Sequence, residues 1–467
     1  MTHNLPVAAL GRGLRNGTLT AEELTRKALA RIASHDGRLH AFVRVDGDAA
    51  LEASRAADAE LRAGQDRGPM HGIPYALKDI YDAAGLPTTC HSHLRLNSVA
   101  TEDSAVAACF RRGGAILLGK LATYEFALGG PSFDLPFPPA RNPWNPDRVP
   151  GGSSSGSAAA VAAGFVRVAP GSCTAGSIRG PAAWCGTVGM KPTYGRVSRR
   201  GVFPLAWSLD HCGPLARSVE DAAIALQVMA GYDPLDPASA DVPVPDYRAG
   251  LGEGMAGLRV GVPRSLFAQD PALADDARDC IERALTCLRD AGASVMEVTL
   301  PDYALYRSCN RVIMAAEMYA IHRTELRTRL PEYGEIAARR FASGAAIDAA
   351  DYLAAQRLRG ILTRVVDAAL DRCDVLVTAI SLDTAPPFGL HGSTWPLQPA
   401  TFNVSGHPAM SVPVGLARDG LPLAVQVAGR PFDEATVLRV GRALECLTGW
   451  ERVPLPERVP AKMLELP

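Results

Sequence analysis

Apolar residues recur along this chain at two spacings, and each spacing predicts a different element. Near the start, Leu24, Ala28 and Ile32 follow one another at helical spacing, directly after a Thr–Glu capping box at residues 20–23. A second amphipathic, alanine-rich stretch covers about residues 48–64. Both stretches are therefore predicted to be helices that bury one face.

Further along, the chain alternates between short apolar runs and longer amphipathic stretches. The apolar runs are bounded by Gly and Pro and read GIPYALKDI, AILLGK, RVGVP, DVLVTAI and AMSVPVGL. The amphipathic stretches between them cover residues 101–112, 273–291, 346–370 and 433–447. Strands that alternate with helices predict an α/β fold in which helices pack on a buried, mostly parallel sheet.

Two segments interrupt this alternation. Residues 231–254 are rich in Pro, Asp and Gly and are predicted to form a long surface connection. Residues 302–370 contain many Arg, Tyr and Leu and few Gly, which predicts a helical insertion. We expect this insertion to cover a site and to determine its substrate specificity.

Charge and composition argue against several classes of function. Lys and Arg number 48 and Asp and Glu 49, so the net charge is −1 and we expect neither nucleic acid nor a membrane as a partner. No apolar run is long enough for a signal peptide or a membrane span. The ten cysteines include no CxxC pair. We expect a cytoplasmic protein with reduced thiols.

No metal centre and no cofactor is predicted. The sequence has no HExxH motif and no cluster of His with carboxylates. Its nearest approach to such a cluster, His91 with His93, is predicted to be a loop pair. The chemistry is therefore expected to come from side chains alone.

Lysine is scarce, and one lysine stands in an apolar setting. Of the 48 basic residues only five are lysine, namely Lys27, Lys78, Lys120, Lys191 and Lys462. Lys78 follows the apolar run 73–77, where burial can remove its proton, whereas Arg keeps its charge in proteins. Lys78 is therefore a candidate base.

The segment 150–218 is dense in Gly and Ser and allows three interpretations. A phosphate-binding loop lacks support, because no GxxxxGK[ST] motif follows and no lysine lies between Lys120 and Lys191. A nucleophile elbow centred on Ser154 fits the GxSxG pattern at residues 152–156. It would also need a catalytic histidine, and the candidates His211, His322, His391 and His407 have no supporting context.

The third interpretation rests on longer strings of sequence. In chain order these are GIPYALKD, RNPWNPDRVPGGSSSGSAAA, TAGSIRGPAAWCGTVGMKPTYGRVS, GHPAMSVPVG and GLPLAVQVAGRPFDE. Together they closely resemble the amidase signature family, whose members include bacterial amidases, fatty acid amide hydrolase and the A-type chain of the glutamyl-tRNA amidotransferase. The resemblance extends over about residues 20–450. It implies a single domain, 1–467, with a signature core at 65–220, folded as an α/β/α sandwich around a large mixed sheet flanked by helices.

The resemblance also implies a Ser–cis-Ser–Lys triad. In it, Ser177 is the nucleophile, Ser153 is the bridging serine with a cis peptide bond, and Lys78 is the base. Ser154 and Arg179 match positions that support the triad in relatives. The oxyanion hole is implied to consist of the backbone N–H groups of Thr174, Ala175, Gly176 and Ser177.

Such a triad needs a lysine that is neutral near pH 7. A serine hydroxyl is a weak nucleophile until a base takes its proton. Lowering a lysine pKa from about 10.4 to about 7 corresponds to about 4.6 kcal/mol, which burial away from opposite charges can supply. Asp79 follows Lys78 directly, but in a strand it would point to the opposite face. We therefore expect Lys78 to be buried without a carboxylate partner.

The sequence departs from the family pattern near the implied nucleophile. Cys173 stands where relatives often have Asp, Ala175 where they have Gly, and Gly180 where they have a large apolar residue. We expect altered loop support at Cys173 and a roomier pocket wall at Gly180. The substrate pocket is predicted to be apolar or aromatic, with candidate residues Gly180, Tyr124, Phe133, Leu135, Phe137, Tyr306 and Trp395.

The predicted function is hydrolysis of a small carboxamide at its C–N bond, or of a close relative such as an anilide, carbamate or ester, through an acyl-enzyme on serine. The protein is expected to act as a monomer or homodimer. Two alternatives remain open at this point. One is a glutamine-hydrolysing A-type subunit of an amidotransferase, and the other is a non-catalytic scaffold that has kept the triad.

Overall fold

The apolar runs that the sequence marks as strands form two sheets in the computed structural model, which describes residues 4–389 and 395–456. Most of these strands are buried along their whole length. In chain order they are β1 (Phe42–Val45), β2 (Pro74–Lys78), β3 (Ile116–Leu121), β4 (Val168–Cys173), β5 (Val188–Lys191), β6 (His211–Ala216), β7 (Arg259–Val262), β8 (Ser294–Glu297), β9 (Val375–Ala379), β10 (Ala409–Leu416) and β11 (Pro422–Gly429).

Helices pack around these sheets. In chain order they are α1 (Val7–Arg15), α2 (Ala21–Leu39), α3 (Gly47–Arg62), α4 (Ala105–Arg112), α5 (Ser155–Ala162), α6 (Arg179–Cys185), α7 (Val219–Met229), α8 (Asp275–Asp290), α9 (Tyr303–Thr328), α10 (Glu335–Ser343), α11 (Ala349–Arg372), α12 (Ala400–Val404) and α13 (Glu434–Leu447). The capping box predicted at residues 20–23 begins α2, where the Thr20 side chain accepts a hydrogen bond from the backbone N–H of Glu23.

The larger sheet has eight strands in the order β4-β6-β5-β10-β11-β9-β7-β8, and the smaller has the order β1-β3-β2. A mixed α/β fold with a large sheet flanked by helices is therefore confirmed. The expectation that the sheet is mostly parallel is wrong in detail. Five of the seven neighbouring pairs in the larger sheet are antiparallel, and only β7 with β8 and β7 with β9 are parallel.

The error in strand direction has a simple cause. A strand covered on both faces is a continuous apolar run whether its neighbours are parallel or antiparallel, so the run itself does not reveal direction. The turn between β10 and β11 spans only residues 417–421, and so short a connection joins antiparallel neighbours.

The elements that hold the candidate site meet where β2 of the smaller sheet contacts β4 of the larger one. Helix α5 lies beside them and is buried along its whole length, which its small Ala, Gly and Ser side chains permit. At Gly156, a Cβ atom would lie 2.5 Å from both the backbone nitrogen of Ala122 and the carbonyl oxygen of Ala41. Glycine at this position therefore lets α5 approach the smaller sheet closely.

The segment predicted as a helical insertion consists largely of α9, α10 and α11. One side chain of α9 reaches the site directly, because the Asn310 amide donates a hydrogen bond of 3.1 Å to the carbonyl oxygen of Thr174. The assignment of residues 1–467 to one domain, with a core at 65–220 and an insertion at 302–370, stays a prediction. None of the helices described combines the length and apolar character needed to cross a bilayer.

Candidate active site

Lys78 ends β2 and is completely buried. Its Nζ atom is hydrogen-bonded to three hydroxyl groups, those of Ser153 at 2.7 Å, Ser172 at 2.8 Å and Ser154 at 3.1 Å. Burial lowers the pKa of Lys78 to about 7, although Cys173 and other acidic groups oppose the change. A lysine in this state can accept a proton near neutral pH.

Asp79, the next residue, turns away from Lys78 as strand alternation predicts. Its carboxylate forms an ion pair of 2.8 Å with Lys120 and also accepts hydrogen bonds from Thr89. Within the described ranges, no carboxylate lies within ion-pairing distance of Lys78. The charge that would keep Lys78 protonated is therefore neutralised elsewhere.

Ser153 lies between β3 and α5, and the peptide bond from Gly152 to Ser153 is cis, as the resemblance implies. The Ser153 carbonyl accepts a hydrogen bond of 3.2 Å from the backbone N–H of Tyr124. A Cβ atom at Gly152 would lie only 2.0 Å from the Tyr124 ring. Glycine before Ser153 thus allows the aromatic ring to pack directly on this loop.

Ser177 lies between β4 and α6, and its half-buried side chain lines the same cavity as Ser153. The two loops are joined by their backbones, because the Ser154 N–H donates a hydrogen bond of 3.2 Å to the Ser177 carbonyl. The hydroxyls of Ser153 and Ser177 are not hydrogen-bonded to each other in this structure. Catalytic hydrogen bonds are often long without substrate and shorten when it binds.

Backbone donors suited to an oxyanion lie beside Ser177. The N–H groups of Thr174, Ala175, Gly176 and Ser177 donate no hydrogen bond to any described residue. Gly176 has φ of +115°, and a Cβ atom there would lie 2.2 Å from Pro399, so only glycine fits. Ala175 lies outside the positive-φ region, so its Cβ atom is tolerated. Thr174 is held by a 2.5 Å hydrogen bond from its hydroxyl to Asp210.

Ser153 and Ser177 face a cavity of about 190 Å³. It is lined by Tyr124, Ala127, Leu128, Gly129, Gly152, Ser153, Thr174, Ala175, Gly176, Ser177, Leu205, Tyr303, Arg307, Asn310, Arg311, Met314, Arg340, Trp395, Leu397, Pro399 and Ala400. Nowhere in residues 4–389 or 395–456 do three His, Cys, Asp or Glu side chains converge so as to hold a metal ion.

Comparison with known proteins agrees with this geometry. The sequence profile of the Amidase family matches residues 23–438. The chain belongs to the amidase signature family. It is an enzyme of the class that cleaves C–N bonds, and the resemblance read from the sequence motifs is confirmed.

Three relatives are similar to this chain over nearly its whole length. The A-type chain of glutamyl-tRNA(Gln) amidotransferase from Roseiflexus sp. (strain RS-1) is 40% identical, over 97% of this chain and 99% of that one. Among solved structures, a chain from a vestigial protein complex that reveals the origins of an s-triazine catabolic enzyme is 34% identical, covering 95% and 98%, with a TM-score of 0.89. The peptide amidase of Stenotrophomonas maltophilia is 33% identical, covering 95% and 97%, with a TM-score of 0.84.

Of the two residues expected to support the triad, only Ser154 contacts Lys78, Ser153 or Ser177 through its side chain, and its role stays a prediction. Its hydroxyl contacts Lys78 and also bonds to the backbone of Ser172. Arg179 is completely buried and makes no hydrogen bond to the three triad residues. Its guanidinium instead donates to the carbonyl of Pro399 at 3.0 Å, and thus helps to hold the residue that packs on Gly176.

The Cys173 thiol lies beside two polar side chains. Its sulfur lies 3.6 Å from the Asn403 amide and 3.8 Å from the Arg179 guanidinium. Burial alone would raise the pKa of the Cys173 thiol, but Arg179 and a backbone N–H outweigh burial and lower it. The loop before Ser177 is therefore held by Asn403 and Arg179.

The predicted pocket residues divide into two groups. Tyr124 and Trp395 line the cavity, with ring centroids 6.1 Å apart. Phe133 does not line it, because its side chain is 58% exposed and its ring centroid lies 6.0 Å from that of Phe388. Leu135, Phe137 and Tyr306 are also outside the lining.

Gly180 does not form the roomier wall expected from the sequence. It is buried in α6, and a Cβ atom there would lie 3.0 Å from the side chain of Leu397. Leu397 lines the cavity and takes up the space beside Gly180. The two residues are 217 positions apart, so the sequence gives no indication that they touch.

The sequence also missed several polar residues of this site. Arg307, Asn310 and Arg311 on α9 and Arg340 on α10 line the cavity, and Ser172 contacts Lys78. The Arg residues were visible as part of an Arg-rich helical segment. Which of them face Ser177 depends on how α9 and α10 pack, which no local pattern reveals. His211 is a packing residue, with Nδ1 2.7 Å from the carbonyl oxygen of Leu209.

Proposed function

We propose that this enzyme hydrolyses a small carboxamide at its C–N bond, or a close relative such as an anilide, carbamate or ester, through an acyl-enzyme on Ser177. The observation that carries the proposal is the bond of 2.7 Å from buried Lys78 to Ser153, in a cavity that Ser153 shares with Ser177. The cavity of about 190 Å³ fits a small substrate rather than a long chain.

The first half of the reaction forms the acyl-enzyme. Neutral Lys78 takes the proton of Ser153, which takes that of Ser177 as the Ser177 oxygen attacks the carbonyl carbon. The negative charge that develops on the carbonyl oxygen is stabilised by the N–H groups of residues 174–177, which have no acceptor among the described residues. When the C–N bond breaks, the departing nitrogen receives a proton from Lys78 through Ser153, and the amine leaves.

The second half releases the acid. A water molecule attacks the ester carbonyl on Ser177 and gives a proton to Lys78 by way of Ser153. When the second tetrahedral intermediate collapses, the Ser177 oxygen regains a proton by the same route. The products are a carboxylic acid and an amine or ammonia. Lys78 begins and ends each cycle neutral.

A second candidate function is hydrolysis of glutamine as the A-type subunit of an amidotransferase. It is favoured by the 40% identity to the Roseiflexus amidotransferase chain over almost the whole of both chains. In that role the ammonia would pass to a partner, and the protein would be purified with other subunits. Our first proposal instead predicts a monomer or homodimer that acts on a small molecule without a partner.

The proposal is tested with a serine-directed fluorophosphonate and a panel of amides, anilides, carbamates and esters. We expect labelling of Ser177, loss of labelling and of turnover in Ser177→Ala, and release of acid and amine in equal amounts. Glutamine turnover that depends on a co-purified partner would favour the second candidate. A folded wild type that reacts with no probe and no substrate would contradict both and favour a scaffold.

A further inference from the structure

Three arginines converge on the cavity above Ser177. Arg307 and Arg311 lie one turn apart on α9, and Arg340 lies on α10. The residues of α9 that line the cavity occupy one face of the helix, at positions Tyr303, Arg307, Asn310, Arg311 and Met314. The packing of α9 and α10 therefore places three positively charged side chains at the site.

None of these three arginines has a counter-ion within the described ranges. Their guanidinium groups form no hydrogen bond or ion pair with residues 4–389 or 395–456. The adjacent Arg339 differs, because it forms an ion pair with Glu335 on the exposed side of α10. Burial lowers the pKa of Arg340, and the charge of Arg311 adds to this effect. Two like charges close together without a counter-ion favour the binding of an anion.

Tyr124 adds a neutral donor to the same place. Its hydroxyl is buried and has no hydrogen-bond partner among the described residues. Burial raises the pKa of Tyr124 well above its usual range, while the nearby charge of Arg340 acts in the opposite direction. The hydroxyl therefore stays protonated and can donate a hydrogen bond beside Arg340. A carboxylate accepts bonds from both kinds of group.

The described lining of this cavity offers no carboxylate to a cationic group. Its described lining contains three Arg and no Asp or Glu. The residues 390–394, which precede Trp395 in the chain, are Leu, His, Gly, Ser and Thr and so include no carboxylate either. The ammonium group of a free amino acid would lose its water of hydration there without an opposite charge to replace it.

We infer that Arg311, Arg340 and Tyr124 form a carboxylate-binding subsite, and that the substrate is an amide bearing a negative charge and no positive one, such as the monoamide of a dicarboxylic acid. Arg307 extends the positive surface toward Tyr303. This inference rests on the proposed hydrolysis at Ser177 and narrows its substrate. It also disfavours glutamine, which differs from glutaramate only by an ammonium group.

The experiment compares kcat/KM for glutaramate and succinamate, their neutral analogues pentanamide and butanamide, and glutamine. Two charge-assisted hydrogen bonds predict a preference of about 100-fold or more for each anionic amide over its neutral analogue. Glutaramate should exceed glutamine by at least about 10-fold. A neutral amide or glutamine hydrolysed as fast as glutaramate would overturn the subsite.

Variants locate the effect. Arg340→Gln and Arg311→Gln should each raise KM for glutaramate at least about 10-fold and leave pentanamide within about threefold. Arg340→Lys should retain part of the preference, and the control Arg339→Gln should change neither substrate. Equal losses on charged and neutral amides would overturn the inference, because they would indicate a purely structural role.

The two proposals fail in different ways. If no amide is hydrolysed and Ser177 is not labelled, the proposed hydrolysis fails and the subsite falls with it. If neutral amides are hydrolysed with Ser177 labelled and no preference for an anion appears, only the subsite fails. Calorimetry measures glutarate binding to Ser177→Ala without turnover. Binding to Ser177→Ala that is lost when Arg340→Gln is added supports the subsite. Absence of binding to Ser177→Ala, with or without Arg340→Gln, contradicts the subsite.

Discussion

Two buried lysines on neighbouring strands, Lys78 on β2 and Lys120 on β3, have different polar partners. Both side chains are about equally inaccessible to water, at 0% and 1% exposure. Lys120 forms an ion pair with Asp79 and donates to the carbonyl of Pro87, whereas the hydrogen bonds of Lys78 among the described residues are all to serine hydroxyls. Burial alone thus does not make a lysine a base. Burial lowers the pKa of Lys78 because no carboxylate pairs with it, and Asp79 pairs with Lys120 instead.

The largest expected effect separates chemistry from stability. Lys78→Met should lower kcat/KM about 10³-fold or more, because the serines lose their base, while the fold survives the loss of a buried polar group. Lys120→Met should leave Asp79 buried and unpaired, which destabilises the protein by about 3–5 kcal/mol. Activity per folded molecule, together with urea unfolding, measures both.

The comparison of the two lysines would be contradicted if Lys78→Met lost stability and Lys120→Met lost activity. A Lys78→Met protein that is fully active, or a Lys120→Met protein that is fully stable but inactive, would show that the lysines have been assigned the wrong roles. Lys78→Arg gives an independent check. Its charge persists at every accessible pH, so it should be inactive even if it folds.

Ser153 and Ser154, two of the three serines that contact Lys78, should differ in their effects. Ser153→Ala removes the hydroxyl that links Lys78 to Ser177, so kcat/KM should fall about 10²- to 10³-fold. Ser154→Ala removes a longer contact, and we expect a loss of about 10-fold. Steady-state kinetics on one amide measures both. Equal losses would mean that Ser153 has no special part in proton transfer.

A smaller effect on activity is expected when Lys78 is given a neighbouring carboxylate, as Lys120 has. Ser172→Asp places a carboxylate beside Lys78 Nζ, which favours the ammonium form and raises the pKa by about one pH unit or more. Because only neutral Lys78 is active, the rise of kcat/KM with pH should move to higher pH by the same amount. Ser172→Ala is the control for the lost hydroxyl, and an unchanged profile in Ser172→Asp would contradict the account.

The smallest effect is expected at the third buried lysine. Burial and the charge of Arg179 lower the pKa of Lys191 well below its usual range, yet its Nζ atom donates only to the backbone carbonyls of Pro192 and His407. Lys191→Met should destabilise the protein by about 1–3 kcal/mol and leave the pH profile unchanged. A displaced profile would show that Lys191 contributes to the chemistry.

Much of the site could be predicted because its residues lie in strings that resemble the amidase signature, and local patterns add to that resemblance. Lys78 ends an apolar strand, Asp79 alternates away from it, and the two Gly/Ser loops stand in a recognisable order. The predictions that were wrong concern contacts between segments far apart in the sequence. Leu397 fills the space beside Gly180, Phe133 lies outside the cavity, and the direction of buried strands leaves no trace in an apolar run.

The arginines of the cavity belong to the same class of failure. Arg307, Arg311 and Arg340 occur in a segment with many other arginines, and nothing in the local sequence separates those that face Ser177 from those that face water. The separation comes from the packing of α9 and α10 over the site. Glu125 contributes to that packing, because its buried carboxyl accepts a hydrogen bond of 3.0 Å from the N–H of Gly334, just before α10.

The central claim is that Lys78 loses its proton near neutral pH. The most direct test is the rate at which a fluorophosphonate acylates Ser177 of the wild-type enzyme between pH 5 and pH 10. The account predicts that this rate rises about tenfold per pH unit below pH 7 and becomes constant above it. A rate that is independent of pH throughout, or that rises only near pH 10 as for an ordinary lysine, would contradict it.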